Sequence, residues 1–294
     1  MRTRFSGISR GTESLVFRGE VPASQYRTMR APFQEGDFPG PVKFGYSSVG
    51  VVEDGPGHLE GKDVFCLFPH QERYCVPEIE VLVLPDSVPA SRAILAANME
   101  TAVNIVWDAR PTVGDDIIVI GGGVVGLLSA YLCRDLPGAK VTVIDPNRAR
   151  EPVANTLGLE YEAAPMATAA ADLIIHASGQ PDGLRSALEM AGAEGTVIEA
   201  SWFGRQEVSL PLGEAFHSRR LKIKSSQVGR IAPDRVPRWD RFRRLALALR
   251  LLENDRLDAL ITGESRFEEL PRVLSDLSSN PGDSLCHRIR YTEA

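Results

Sequence analysis

A chain of 294 residues, 43% hydrophobic and 24% charged, has an ordinary globular composition and is long enough for two cores. Its net charge of −6 argues against a general nucleic-acid binder, which needs a basic surface. No apolar run approaches the roughly 20 residues of a membrane span, Met1 to Arg10 lacks the apolar core of a secretory leader, and Cys66, Cys75, Cys133 and Cys286 are too scattered for a disulfide scaffold. These features predict a reduced cytoplasmic protein with neither a membrane nor a nucleic-acid partner.

Residues 1 to about 90 are rich in Gly and Pro, with short apolar runs at Ser48–Val52, Asp63–Phe68 and Val81–Leu84. Short runs bounded by turn residues predict strands of a compact all-β unit. Apolar residues at helical spacing predict one helix over Ser91–Ala109, with Ser91 as its N-cap. From Pro111 to Lys224, strands at 116–120, 140–144, 173–176, 196–199 and 221–224 alternate with helical stretches. That alternation predicts parallel strands with crossover helices, a doubly wound α/β sheet. An amphipathic helix over Trp239–Asn254 follows, and then a strand, a helix from about Phe267 and a last strand.

The predicted strand 117–120 runs directly into Gly121-Gly122-Gly123-Val124-Val125-Gly126 and a helix. This is G-x-G-x-x-G in the strand–turn–helix setting that dinucleotide binding requires. Gly121 permits a tight turn, Gly123 admits a pyrophosphate close to the backbone, and Gly126 lets helix and strand pack closely. Free N–H groups at the helix start, around Val124 and Val125, face the phosphates. The second strand ends in Asp145, about twenty residues beyond the glycines, where a carboxylate accepts from ribose hydroxyls and repels a 2′-phosphate. NAD(H) is therefore expected over NADP(H), a preference that nearby Arg148 weakens.

The order of β-rich unit, bridging helix, Rossmann unit and returning C-terminal segment resembles the medium-chain dehydrogenase/reductase superfamily. Gly7-Ile8-Ser9-Arg10-Gly11-Thr12-Glu13 resembles the family's Gly-Ile-Cys-Gly-Thr-Asp segment, and Phe44 to Val52 its Gly-His-Glu-x-x-Gly-x-Val block. The Ile8 to Glu13 wording is most similar to the bacteriochlorophyllide dehydrogenase subgroup of zinc-type alcohol dehydrogenase-like proteins. The resemblance implies a GroES-like catalytic domain over 1–108, rejoined by 255–294, and a Rossmann NAD-binding domain over 109–254. It also places the catalytic zinc ligands, a Cys, a His and a second Cys, on Ser9 or Arg10, on Tyr46 and on about Ala97, with Ser47 where a Glu flanks the His. None of these is a good zinc ligand, and the four-Cys structural lobe is missing, so no zinc is expected.

The residues in the metal's place are then the candidates for chemistry. Tyr46 is positioned to give a proton to a carbonyl oxygen, or to take one from an alcohol were its pKa lowered. Arg10 suits an alkoxide or an anionic substrate. Glu100, beside Thr101 on the bridging helix, is an acid or base, an orienter of Tyr46 or Arg10, or half of a structural ion pair. Ser9 is a pocket hydroxyl or a turn residue, and Tyr46 itself serves chemistry or fills the vacated hole. His70 is read as a locally satisfied histidine or a substrate contact. By resemblance, Ser178 and Gly179 border the nicotinamide ribose and Trp202 and Phe203 the nicotinamide ring, or Trp202 is simply core or interface. The basic residues from Arg219 to Arg244 read as a solvated, salt-bridged face, a subunit contact or an attractor of an anionic substrate. The strand over 221–226 lies where relatives pair sheet edges, which implies a homodimer. The leading expectation is a zinc-independent NAD(H) alcohol dehydrogenase or carbonyl reductase for a small-molecule substrate. The alternatives are a nucleotide-binding sensor or scaffold, and a zinc enzyme with non-standard ligands.

Overall fold

The computed structural model describes residues 1–167 and 169–292. In chain order, β1 (Arg2–Ile8) and α1 (Arg10–Phe17) precede the two-residue strands β2 (Glu35–Gly36) and β3 (Val42–Lys43), then β4 (Ser48–Val51), β5 (Asp63–Cys66) and β6 (Val81–Val83). Helices α2 (Ala90–Ala93) and α3 (Ala96–Ala109) lead to β7 (Asp116–Ile120), α4 (Val124–Cys133), β8 (Lys140–Ile144), α5 (Glu151–Thr156) and β9 (Glu160–Glu162). Then come β10 (Ala171–His176), α6 (Pro181–Met190), β11 (Ala191–Glu199), β12 (Lys222–Ser225), α7 (Arg241–Arg250), β13 (Ile261–Arg266), α8 (Leu270–Ser279) and β14 (Cys286–Arg290). The chain divides into two compact units, Met1–Ala97 with Leu245–Ala294, and Asn98–Arg244.

The first unit holds a six-stranded sheet in the order β13-β14-β1-β4-β5-β6. Its neighbours pair antiparallel, apart from β13 and β14, which run parallel. Ile8, Ile289, Tyr291, Val273 and Leu277 form one core that joins β1 and β14 to α8. Within residues 1 to 90, α1 is a helix where only strands were expected, whereas α2 and α8 fall in stretches expected to hold helices. Helix α1 buries Leu15 and Val16, each contributing about 1.5–3 kcal/mol, and carries Glu13 inward with them. Only eight residues long and opened by Arg10-Gly11, it presents too few turns for a 3.6-residue period to show in the sequence.

The single helix expected over Ser91–Ala109 is also interrupted. Pro89, not Ser91, caps α2, and the chain turns at Ile94 and Leu95 before α3 begins. Ser47 Oγ donates to the Ile94 carbonyl at 2.5 Å, which ties this turn to the segment before β4. Arg92 is buried, with its guanidinium on the Asp258 carboxylate and the carbonyls of Leu252 and Glu253.

The second unit is a six-stranded, wholly parallel sheet in the order β12-β11-β10-β7-β8-β9. Near-continuous apolar strands such as Asp116–Ile120, buried from Ile117 onward, are what a sheet covered on both faces demands. Reading outward from β7, the chain runs one way through β8 and β9, then returns to β10, β11 and β12. This doubly wound order opens a crevice at the carboxyl ends of β7 and β10, where ligands of such sheets bind. At the far edge, all four residues of β12 are exposed. Among the described residues, no helix is long and apolar enough to cross a membrane.

Candidate active site

The glycine turn sits at that crevice. Gly121 takes φ +109°, and a Cβ there would lie 2.6 Å from the Ser178 nitrogen, so only glycine lets β7 and β10 end side by side. A Cβ on Gly126 would come within 1.9 Å of the Gly121 carbonyl oxygen, which enforces the close turn-to-helix packing. A Cβ on Gly123 would meet nothing within 4 Å. Gly123 is also the N-cap of α4 and supplies no side-chain cap, so the helix's first N–H groups and its dipole face open space. That cradle fits a pyrophosphate. Val124 and Val125 form its half-buried first turn.

The Asp145 carboxylate accepts from the Gly122 N–H at 2.7 Å and the Asn147 N–H at 2.8 Å. These bonds fix it at the end of β8 and leave it lone pairs for ribose hydroxyls. The Tyr161 hydroxyl donates to the Asp145 carbonyl. Arg148 is exposed. Arg150, unremarked in the sequence, is buried, with its Cβ and Cγ against Gly122.

Ser178 and Gly179 belong to a polar network that the sequence reading missed. His176 is fully buried and stands opposite Glu199 in the β10–β11 register. Its Nδ1 lies 2.6 Å from Glu199 Oε2, and its Nε2 lies 2.6 Å from Ser178 Oγ. Glu199 accepts from the Ser201 N–H, and Ser201 Oγ accepts from the Gly179 N–H. A strand-final His beside a strand-final Glu was the available signal, but only the sheet register makes them partners. Trp202 and Phe203 are half-buried, and Phe203 stacks on His176 at 6.1 Å.

In the same unit, Glu100 accepts from Arg244 Nε at 3.0 Å, and Arg244 Nη1 donates to Asn104 Oδ1 at 2.5 Å. The Glu100 and Arg244 side chains are 6% and 4% exposed, so the pair lies in the interior. Burial raises the Glu100 pKa, and Arg244 and Arg241 oppose the rise. Thr101 is half-buried on α3. Much of the basic stretch is spent on local partners, with Arg220 on Glu194, Lys224 on Asp108 and Arg219 on the carbonyls of Glu189 and Ala191.

The first unit gathers the residues that stand in the metal's place. Arg10 opens α1 and is half-exposed, beside half-buried Ser9. The Ser9 and Thr12 side chains hydrogen-bond the Tyr46 phenol. Burial and the Glu13 charge push the Tyr46 pKa up to about 12, and those two hydroxyls moderate the rise. Below Tyr46, the Ser9 N–H donates to Glu13 Oε1 at 2.7 Å, and Glu13 Oε2 lies 2.9 Å from His70 Nε2. His70 Nδ1 is 2.7 Å from Ser6 Oγ, which is 3.0 Å from the Tyr291 hydroxyl. Glu13 and His70 therefore join the site although the sequence did not single out Glu13. Ala97 is buried and offers no donor atom. Ser9, Arg10, Tyr46 and Ala97 do not fit a zinc ion, and among the described residues no cluster of three His, Cys, Asp or Glu suits one.

The six-stranded parallel sheet and the separate β-rich unit match known structures along nearly the whole chain. A short chain alcohol dehydrogenase from Escherichia coli CFT073, complexed with NADH, aligns with a TM-score of 0.73 over 98% of this chain and 90% of that one, at 16% identity. A dehydrogenase from Sinorhizobium meliloti 1021, bound to NADP, aligns at 0.74 with the same coverage and identity. The chain shares the fold of these dehydrogenases. Sequence similarity runs to sugar-acting dehydrogenases and reductases by name. D-guloside 3-dehydrogenase of Escherichia coli K12 is 25% identical over 297 residues, which is 89% of this chain and 85% of that protein. D-xylulose reductase A of Aspergillus niger is 25% identical over 225 residues, 71% of this chain. The match spans 60% of that reductase. No family model matches the chain.

Proposed function

We propose that this protein is a nicotinamide-dependent oxidoreductase that interconverts an alcohol and a carbonyl compound without zinc. The observation that carries the reading is the open, side-chain-free start of α4 at Gly123, flanked by the anchored Asp145 carboxylate. Asp145 favours NAD(H), since a 2′-phosphate would face a fixed negative charge. Bound NAD(H) supplies the hydride chemistry. The chain's own contribution is to hold the dinucleotide at the β7–β10 crevice and to present a neutral phenol, Tyr46, to a substrate oxygen. Relatives named for xylulose and a guloside support a small polyhydroxylated substrate. The four free cysteines suit a reducing compartment such as the cytoplasm.

Melting curves test this directly. NADH at 100 times its Kd adds about 2.7 kcal/mol of stability, so the Tm rises, and NADPH at the same concentration raises it less. Gly126→Ala removes the shift, because its methyl collides with the Gly121 carbonyl. A wild-type Tm unmoved by either nucleotide overturns the proposal. About one zinc per chain by metal analysis overturns its metal-free part.

A further inference from the structure

A cavity of about 400 Å³ lies in the parallel-sheet unit, away from the glycine crevice. Its apolar wall is Val106 and Trp107 near the end of α3, Leu132 at the end of α4 and Leu136 just beyond it. Helix α4 starts at the crevice, and at 1.5 Å per residue Leu132 stands about 13 Å along it from Gly123. The polar wall is Arg110, Thr112, Asp234 and Arg235.

Most of the polar groups in this wall have partners within the chain. Thr112 donates both its N–H and its hydroxyl to the Asp115 carboxylate, at 2.7 and 2.8 Å. Arg110 Nη2 lies 3.2 Å from Asp234 Oδ1. Arg235 Nε differs. Alone among the buried side-chain nitrogens and oxygens of the described residues, it has no hydrogen-bond partner. The Arg235 guanidinium carbon lies 5.5 Å from the centroid of the Trp107 ring. That ring is a fixed base, since Trp107 is 8% exposed and packs on Trp239 at 4.8 Å. A buried N–H without an acceptor is costly, and native chains keep few of them. Arg110 adds a second irregularity to the same wall. Its φ of +54° is a left-handed conformation that a residue with a Cβ rarely adopts, and such backbone collects at ligand sites.

The lining specifies a ligand chemistry. One carboxylate, Asp234, stands with two guanidinium groups, Arg110 and Arg235, so the wall carries one positive charge in excess. The Nε edge of a guanidinium presents parallel N–H groups, a fork that a carboxylate accepts with both oxygens. The aliphatic and aromatic side chains of the remaining wall suit an apolar body. We propose that this cavity binds a small monocarboxylate with an apolar body, its carboxylate on the Nε edge of Arg235 and its body against Trp107, Leu132 and Leu136. The site is separate from the proposed nucleotide cradle, because none of its residues belongs to the glycine turn or to the acid beside it.

Isothermal titration calorimetry of the full chain with phenylbutyrate, and with its neutral amide, reads the site without any turnover. Phenylbutyrate is expected to bind saturably, and the amide at least about tenfold more weakly, because it lacks the charge-assisted fork. That comparison needs no variant to fold. Arg235→Gln is expected to weaken binding of the acid by about tenfold or more and to leave that of the amide nearly unchanged. Saturating NADH is expected to leave the affinity for phenylbutyrate as it was. A wild type that takes up no phenylbutyrate overturns the proposal, as does equal binding of acid and amide or full affinity in folded Arg235→Gln. Displacement of phenylbutyrate by NADH overturns it too, because the acid would then sit in the glycine crevice.

Discussion

Burial sets the chemistry of single ionisable side chains in this protein. The thiols of Cys66, Cys133 and Cys286 are each pushed up to about 12 by loss of water, whereas Cys75 is exposed. A thiolate is the reactive form, so Ellman's reagent at pH 8 should modify one thiol quickly, and Cys75→Ser should abolish that phase. Two fast thiols would mean that the interior opens more than the burial allows. The same physics acts on Tyr46. A phenol with its pKa pushed up to about 12 is a proton donor at neutral pH, and the base role would need the opposite shift. The position of Tyr46 was legible in the motif around it. Its polarity was not, because that depends on Glu13 and on the water excluded around both.

Elements of the parallel-sheet unit are tied together by buried charge. Arg244, at the start of α7, bonds Glu100 and Asn104 one turn apart on α3, and the Val228 carbonyl. Arg244→Met leaves Glu100 buried and unpaired, and urea unfolding should show a loss of about 3–5 kcal/mol. The sign of its pH dependence follows from the raised Glu100 pKa. A carboxyl whose folded pKa lies above its unfolded value binds its proton more tightly when folded. The loss should therefore shrink as pH falls through that raised range and grow as pH rises. A penalty independent of pH would place its origin in packing instead. The i, i+4 spacing of Glu100 and Asn104 was readable as one helix face, but their arginine lies more than a hundred residues away and only folding supplies it.

At the scale of the whole molecule, β12 ends the parallel sheet with four exposed residues, among them Ile223. An edge strand with unpaired N–H and C=O groups invites a partner strand, and a two-fold axis would pair β12 with its own copy. We therefore expect a homodimer, with twice the chain mass in multi-angle light scattering at micromolar concentration, and a proline at Ile223 should return it to monomers. A monomeric wild type would show that the edge is capped by its own charged side chains, Lys222 and Lys224.

The sequence alone determined what depends on local spacing. The glycine turn between a buried strand and a helix, the acid at the end of the next strand and the alternation of the parallel sheet all follow from steric and periodic rules acting over a few residues. The same rules hid α1, which is too short to show a helical period, and did not foresee the turn at Ile94 and Leu95. Tertiary structure alone decided which polar groups meet. The Glu13–His70, His176–Glu199 and Glu100–Arg244 pairs join residues 57, 23 and 144 positions apart. Their energies come from exclusion of water by the surrounding core, and no single segment of the chain carries that information.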